Sequence, residues 1–290
     1  PSADGEAVFL FTHSRPRCIQ WKEGRQPPPA PKGWLCMEIL RVENIEQTYQ
    51  AKNGEVAALR DVSFSMNSGD FYSLVGPSGC GKSTLLSIIA GLLPPSGGRV
   101  LLGGEEVRGS SPRIGYMLQK DNLLEWRTIR QNVLFGLEIR RQLNEETVKH
   151  ADHLLETYGL SDFRDKYPAQ MSGGMRQRAA LIRTLAVRPD ILLLDEAFSA
   201  LDYQTRLSVT EDVYSILKRE HVTTLMVTHD IPECISMSDV VVILTARPAA
   251  VRELLPIRFD IPVRTPLSCR NTPQFSTYFD HIWKELERHD

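Results

Sequence analysis

The sequence predicts an α/β fold interrupted by a helical insertion, and three observations carry that prediction. Short apolar strands alternate with helical segments along most of the chain. A glycine-rich loop, 76–84, stands between a predicted strand and a predicted helix. From about Thr128 to Thr184 the texture turns helical before strands return. A chain of 290 residues is long enough to bury a substantial core.

Residues 1–36 differ from the rest, with a polyproline stretch at Pro27-Pro28-Pro29-Ala30-Pro31 and an apolar run, Val8-Phe9-Leu10-Phe11, too short for a signal-peptide core. We expect the native chain to start at Met37, with 1–36 a disordered leader or a non-native extension; a genuine flexible extension is the alternative. Strands follow at 37–42, 62–66, 71–75, 99–102 and 114–118, with turn signals at Pro94-Pro95-Ser96-Gly97-Gly98 and Gly103-Gly104. In the helical stretch Asn144 has the character of an N-cap, because its side-chain oxygen can accept from the open N–H groups of a first turn. Glu145 and Glu146 suit the positive end of that helix, Gly159 ends it, and Val148, Ala151, Leu155 and Tyr158 form its apolar stripe. Strands return at 191–194, 223–227 and 240–244. The last segment carries Phe275, Tyr278, Phe279, Ile282 and Leu286 at helical spacing, a stripe expected to dock on the protein's own body.

Composition is that of an ordinary globular chain, 42% apolar and 24% charged, and a net charge of −2 gives no field that would draw nucleic acid, which is not expected as a partner. No apolar run approaches the roughly 18–20 residues of a bilayer span. The five cysteines, Cys18, Cys36, Cys80, Cys234 and Cys269, are odd in number and form no Cys-x-x-Cys pair. Free thiols in a reducing compartment, the cytosol, are the expectation.

Chemistry concentrates at Gly76-Pro77-Ser78-Gly79-Cys80-Gly81-Lys82-Ser83-Thr84. Glycines let this backbone wrap tightly, so that its N–H groups and the N-terminus of the helix from Lys82 point at a polyphosphate. Lys82 is expected to reach the β- and γ-phosphates, and Ser83 to help hold Mg2+. A second half comes from Ile191-Leu192-Leu193-Leu194-Asp195-Glu196, an apolar strand that ends in two carboxylates. Asp195 can hold Mg2+ there, and Glu196 can orient or deprotonate an attacking water.

Met171-Ser172-Gly173-Gly174-Met175-Arg176-Gln177-Arg178 precedes that strand. With it, the order of phosphate loop, signature, carboxylate strand and histidine resembles the ATPase subunit of an ATP-binding-cassette (ABC) transporter over nearly everything from Met37 to about Pro256. The resemblance implies a P-loop NTPase core, a RecA-like sheet with an antiparallel β subdomain, over 37–256, a helical subdomain inserted at about 120–176, and a C-terminal tail at 257–290. Ser172, Gly173 and Gly174 match the family's signature, which holds the γ-phosphate bound on a partner subunit. Met171 and Met175 stand where the commonest pattern has Leu and Gln; anion binding is expected to survive both. Tyr49 matches the residue that stacks on adenine, with a strand-packing tyrosine as the alternative reading. Gln119 matches the glutamine that contacts Mg2+, Asp202 in Ser199-Ala200-Leu201-Asp202 the anchor of the loop crossing between subunits, and His229 the histidine at the γ-phosphate.

What the resemblance implies is a homodimer that sandwiches two ATP molecules at the cytoplasmic face of the inner membrane, peripheral to integral membrane permease subunits, and served indirectly by an extracytoplasmic solute-binding protein. Asn122-Leu123-Leu124-Glu125-Trp126-Arg127 is placed to line the groove for the permease; Trp126 is alternatively buried within the insertion. Within the family, Leu124-Glu125-Trp126-Arg127-Thr128, Gly174-Met175-Arg176-Gln177-Arg178 and Thr245-Ala246-Arg247-Pro248 resemble importers of nitrate, alkanesulfonates and taurine. An ABC ATPase driving export, and a soluble ABC ATPase acting on DNA or ribosomes, are the other readings. No Asn-Lys-x-Asp guanine reader occurs.

Overall fold

The chain begins with two strands of fourteen residues each, β1 (Glu38–Ala51) and β2 (Gly54–Asn67). They are followed by β3 (Phe71–Val75), α1 (Lys82–Ile89), β4 (Gly97–Leu102), β5 (Glu105–Glu106) and β6 (Ile114–Met117). Three helices come next, α2 (Ile129–Ile139), α3 (Glu145–Thr157) and α4 (Gly173–Leu185). Then β7 (Ile191–Asp195), α5 (Tyr203–Arg219), β8 (Thr223–Val227), α6 (Ile231–Met237) and β9 (Val240–Leu244) alternate, before β10 (Val251–Pro256), α7 (Pro266–Arg270) and α8 (Pro273–Glu287). This computed structural model describes residues 37–51 and 54–288; the expectations about 1–36, and about Cys18 and Cys36, lie outside the described residues.

Two sheets result. One is antiparallel, in the order β2-β1-β4-β5; the other runs β10-β9-β3-β8-β7-β6. All pairings in the second are parallel except that of β10 with β9. β3 lies between β9 and β8 and is buried along its whole length, which is why its sequence is mainly apolar, broken only by the buried Ser73, rather than an alternation. β8 is buried throughout as well, with Thr223 and Thr224 ahead of three apolar residues, and the first four residues of β7 are all apolar and buried. The strand predicted to reach Leu118 stops one residue earlier: Met117 opposite Leu194 is the last pair, and Leu118 is exposed.

The β1–β2 hairpin is much longer than the two short strands predicted there. Its middle is broken by register shifts between Val42 and Ile45 and between Ile45 and Gln47. Asn44 and Asp61 take left-handed φ of 48° and 49°, and Asn44 Nδ2 donates to Asp61 Oδ1 at 2.6 Å. These bulges displace the period-2 pattern by which a strand is recognised.

In the helical region Asn144 caps α3 by accepting from the Thr147 N–H, with Glu145 and Glu146 in the first turn. Ala151 and Leu155 are buried as the apolar stripe predicts; Leu154, outside that stripe, is buried with them, while Val148 and Tyr158 are half-buried. The boundary expected at about 176 falls inside α4, which continues to Leu185. Its buried Ala179, Ala180, Leu181, Ile182 and Leu185 belong to the same hydrophobic cluster as α2, α3 and α5. Trp126 is 73% exposed, so its burial within the insertion is ruled out. The segment that carries it is held from below by Asn132, fully buried on α2. Its Oδ1 accepts from Leu124 N at 2.7 Å, and its Nδ2 donates to the carbonyls of Leu124, Arg127 and Thr128 at 3.0–3.1 Å.

The tail docks as its stripe predicts. Ile282 is fully buried on α8, and Phe275, Tyr278, Phe279 and Leu286 pack against the cluster it shares with α6 and β9. Arg264, ahead of α7, and Lys218 of α5 both pair with Asp239, at 3.2 and 2.9 Å. Burial would raise the Asp239 carboxyl, but these two cations hold it below the usual carboxylate range. Asp239 in turn accepts from the Phe71 N–H at 3.0 Å, so the tail is tied to the first residue of β3.

Replacing Asn132 by Ala removes the partner of the Leu124 N–H and one hydrogen bond from each of three carbonyls, of which Leu124 and Thr128 keep a backbone donor. Asn132→Ala is expected to lower unfolding free energy by about 2–3 kcal/mol, read by urea denaturation, and to speed amide exchange at Leu124 selectively.

Candidate active site

The loop after β3 takes the form its glycines allow. Gly79 and Gly81 sit at φ of 71° and 127°, values a side chain would resist. At Gly81 space forbids one too: an added Cβ would lie 2.9 Å from Leu59 Cδ2 and 3.2 Å from the Ala58 carbonyl oxygen. Gly76 is similarly confined by Cys80 Sγ and Leu244. The Cys80 thiol is buried beneath the loop, and burial pushes its pKa up, which keeps it protonated and inert. Pro77 and Ser78 complete the curve, closed by the Cys80 N–H donating to the Pro77 carbonyl at 3.3 Å.

Helix α1 leaves this loop with Gly81 as its N-cap, no side chain capping it and no acidic residue in its first turn. Its first N–H groups therefore lack side-chain acceptors, and the positive end of the helix dipole faces the loop. Such an end attracts anions. Lys82 is only 8% exposed, and its Nζ donates to the Gly76 and Pro77 carbonyls at 2.9 and 3.0 Å. Thr84 Oγ1 lies 3.2 Å from the Tyr49 hydroxyl, so the β1 aromatic is 38% exposed and anchored at the start of α1 rather than packed as a core strand residue.

From the other side, β7 brings up its carboxylates. Ser83 Oγ donates to Asp195 Oδ1 at 3.2 Å, and the Tyr116 hydroxyl, from β6, donates to Asp195 Oδ2 at 3.2 Å. Burial pushes the Asp195 carboxyl up, against the pull of those two donors. The Tyr116 phenol is itself pushed up to about 12, by burial first and by the Asp195 charge next. Tyr116 was not singled out from the sequence; its alternation within β6 gave no sign of the hydroxyl's partner.

Glu196 follows in a left-handed backbone conformation, φ 47°, a geometry that costs an ordinary residue roughly 1–2 kcal/mol. It is held there by its N–H donating to the Val227 carbonyl at 2.9 Å and by its own carbonyl accepting from Ser199 N and Oγ. The turn aims the carboxylate at His229, whose Nδ1 is 3.4 Å from Glu196 Oε2. Gln119 Nε2 donates to Ser199 Oγ at 3.0 Å, so the carbonyl oxygen is the Gln119 atom that can ligate a metal. Oxygen atoms from a hydroxyl, a carboxylate and an amide suit Mg2+, which is usually held by one or two carboxylates with phosphate and water completing the octahedron. Among the described residues no group of three or more His, Cys, Asp or Glu is placed to hold a metal ion.

Ser172 and Asp202 stand apart from this group. Ser172 caps α4, accepting from Met175 N at 3.3 Å, and Asp202 caps α5, accepting from Thr205 N at 3.0 Å; the Thr205 hydroxyl first and its N–H next hold the Asp202 carboxyl below the usual range. Gly173 and Gly174 let α4 press against Leu201 and α5: an added Cβ would meet Leu201 Cδ2 at 3.3 Å and Val209 Cγ2 at 2.9 Å, respectively. Among the described residues no hydrogen bond or ion pair joins Ser172 to Lys82, Asp195, Glu196 or His229.

His229 is set between two fixed neighbours. The Thr228 hydroxyl accepts from Asp230 N at 3.1 Å and donates to the buried Glu233 carboxylate, while Asp230 caps α6 by accepting from Glu233 N at 2.9 Å. Glu233 Oε1 has no hydrogen-bond partner among the described residues. Burial raises this carboxyl to about 7; the Thr228 hydroxyl, Arg206 and Arg270 pull it down and Asp230 pushes it further up.

The chain is similar to known proteins in sequence and in fold. The family model for ABC transporters matches residues 59–199. An uncharacterised ABC transporter ATP-binding protein of Bacillus subtilis is 48% identical over 86% of this chain and 96% of its own length. A nitrate import ATP-binding protein of Synechocystis and a taurine import ATP-binding protein of Roseobacter denitrificans are each 36% identical, over 84% and 85% of this chain and 93% of their own. A dimeric ATP-binding cassette solved in a post-hydrolysis state with ADP and Pi superposes with a TM-score of 0.64 at 28% identity, covering 76% of this chain and all of that one.

Because the Glu233 carboxyl binds its proton more tightly in the folded state than the ordinary 4.5, folding is favoured below that value. The advantage is lost as pH rises through about 7. Glu233→Gln should therefore melt about 5 °C above the parent at pH 8, with the gap closing towards pH 5. An equal gap at both pH values in a thermal melt would contradict the assignment.

Proposed function

This chain belongs to the ABC transporter ATP-binding family and is an ATPase, and from that premise we propose that it powers uptake of a small solute through a separate membrane permease. The similarity to nitrate and taurine import ATP-binding proteins supports a solute of that kind, a small anion or zwitterion. No helix among the described residues is long and apolar enough to cross a membrane, which fits a subunit that works on membrane-spanning partners at the cytoplasmic face. The likeness to a dimeric cassette supports pairing of two copies, and a solute-binding protein outside the membrane would deliver the cargo.

The observation that carries the mechanism is a pair of contacts at the end of β7: Asp195 meets Ser83 at the open N-terminus of α1, and Glu196, the next residue, faces His229. ATP would lie along the loop 76–84 with its adenine on Tyr49 and its phosphates on the α1 N–H groups. Lys82, whose Nζ donates to the Gly76 and Pro77 carbonyls, would exchange them for the β- and γ-phosphate oxygens. Ser83, Asp195 and the Gln119 carbonyl oxygen would hold Mg2+, which supplies charge neutralisation at the phosphates when bound. Glu196 orients a water in line with the γ-phosphorus and takes its proton as the new P–O bond forms and the bond to ADP breaks. His229, opposite Glu196, donates to the γ-phosphate oxygens as charge spreads over them. The signature residues Ser172, Gly173 and Gly174 would close over the γ-phosphate bound by the second copy, with Asp202 beside that interface. That no hydrogen bond or ion pair links Ser172 to Lys82 among the described residues accords with this division.

Glu196→Gln should bind Mg-ATP, turn over at least about a hundredfold more slowly and accumulate as a closed dimer on size exclusion; unchanged turnover would remove Glu196 from its role. Ser172→Arg should leave nucleotide binding to the monomer intact and abolish that dimer. Affinity purification from the host's membranes through a tag on Asp290 is expected to bring down a multi-span permease; ribosomal or DNA-repair proteins in its place would move the ATPase's work off the membrane.

A further inference from the structure

One guanidinium touches both loops that carry chemistry beyond the phosphate loop. Arg206 lies in the first turn of α5, where its NH2 donates to the Leu201 carbonyl at 2.9 Å and its NH1 to Asp230 Oδ2 at 3.1 Å. Both side chains of this ion pair are about three-quarters covered, at 23% and 22% exposure. Leu201 belongs to the loop 199–202, whose Ser199 bonds the Glu196 carbonyl and the Gln119 amide, and its side chain lies against Gly173. Asp230 follows His229 directly, and both of its carboxylate oxygens are committed, one to Arg206 and one to Glu233 N. With Thr228 fixed on the other side by Glu233 and Asp230, the backbone carrying His229 has little freedom except as Arg206 and the loop 199–202 move together.

We propose that Arg206 is a positioning residue that sets His229 against Glu196 and ties that setting to the loop 199–202. The proposal rests on the reading that His229 acts at the γ-phosphate. A planar fork is suited to this task, since it presents two donors at a fixed separation and stays charged at every accessible pH. When the loop 199–202 meets a second copy, a shift of the Leu201 carbonyl is passed through the guanidinium to Asp230 and so to the imidazole. Occupancy of the dimer interface and readiness of the histidine then become one event, carried by a contiguous hydrogen-bonded chain. A lysine at this position has one nitrogen and would reach either the carbonyl or the carboxylate.

The test compares ATP hydrolysis by Arg206→Gln, Arg206→Lys, Asp230→Asn, the Arg206→Gln/Asp230→Asn double variant and His229→Ala in the full chain. Thermal melts of each show which are folded. Arg206→Gln is expected to lower kcat about tenfold or more with KM for ATP within about twofold, the signature of a lost transition-state contact rather than lost binding. Arg206→Lys, which keeps the charge and the fold, should also lose turnover. The double variant should be no slower than about twofold below the worse single one, because both act through one contact. The His229 Cε1 carbon resonance should shift in both Arg206 variants.

Additive losses in the double variant, a kcat like the parent's in Arg206→Lys, or an unmoved His229 resonance would overturn the proposal. If His229→Ala itself hydrolyses ATP like the parent, the reading of His229 fails; if only His229→Ala is impaired, Arg206 alone loses its role.

Discussion

Lys82 carries its ammonium into a nearly closed environment, and the carbonyl oxygens of Gly76 and Pro77 at 2.9 and 3.0 Å are what make that burial tolerable. The loop must curl back on itself to offer two carbonyls to a side chain that begins several residues later, and that curl is possible because Gly79 and Gly81 accept left-handed backbone. Gly81 then has to slide beneath Leu59 and Ala58 of β2, which fixes the antiparallel sheet relative to α1. Gly76 is pressed against Leu244 at the end of β9. One charged side chain thereby sets the approach of both sheets to the phosphate loop, and the open end of α1 follows from it.

The opposing half of the site depends on a different constraint, the left-handed turn at Glu196. A strand that simply continued would send successive side chains to opposite faces; the reversal of φ directly after Asp195 lets two adjacent carboxylates address one small volume. Asp195 meets Ser83 and Tyr116, while Glu196 meets His229. Two acidic groups so close together differ in surroundings: Asp195 is pushed up by burial and bonded by hydroxyl donors, whereas Glu196 looks towards a more open imidazole. In the mechanism proposed above, that difference of environment would separate a metal-holding carboxylate from one that handles water.

Much of this was legible in the sequence where a residue's neighbours along the chain determine its role. The phosphate loop, the strands β3, β7, β8 and β9, and the cap Asn144 are of that sort, since a fully buried parallel strand reads as a mainly apolar run and a cap lies within a turn of what it caps. The docking stripe of α8 was legible for the same reason. What escaped depends on distant contacts. Tyr116 reaches Asp195 across 79 positions and Arg206 reaches Asp230 across 24, and neither spacing leaves a local pattern. Asn132 gave no signal because a buried asparagine on an amphipathic helix is indistinguishable, in sequence, from one facing solvent. The length of the β1–β2 hairpin was hidden by its bulges, and β10 by the adjacent charges Arg252 and Glu253, which interrupt any alternation.

Those two charges on β10 bear on a hazard unrelated to catalysis. β10 is the outermost strand of the large sheet, and an outermost strand offers unpaired backbone groups to any other chain. Here Arg252 donates to the Glu285 carbonyl of α8 at 2.7 Å, Glu253 pairs with His281 of the same helix at 2.9 Å, and Pro256 ends the strand with no N–H to give. The C-terminal helix thus acts as a selvedge, a finished border that keeps the weave from being extended by a foreign strand. A chain shortened before Pro273 would keep its phosphate loop and both carboxylates, yet present a raw margin on which copies could polymerise.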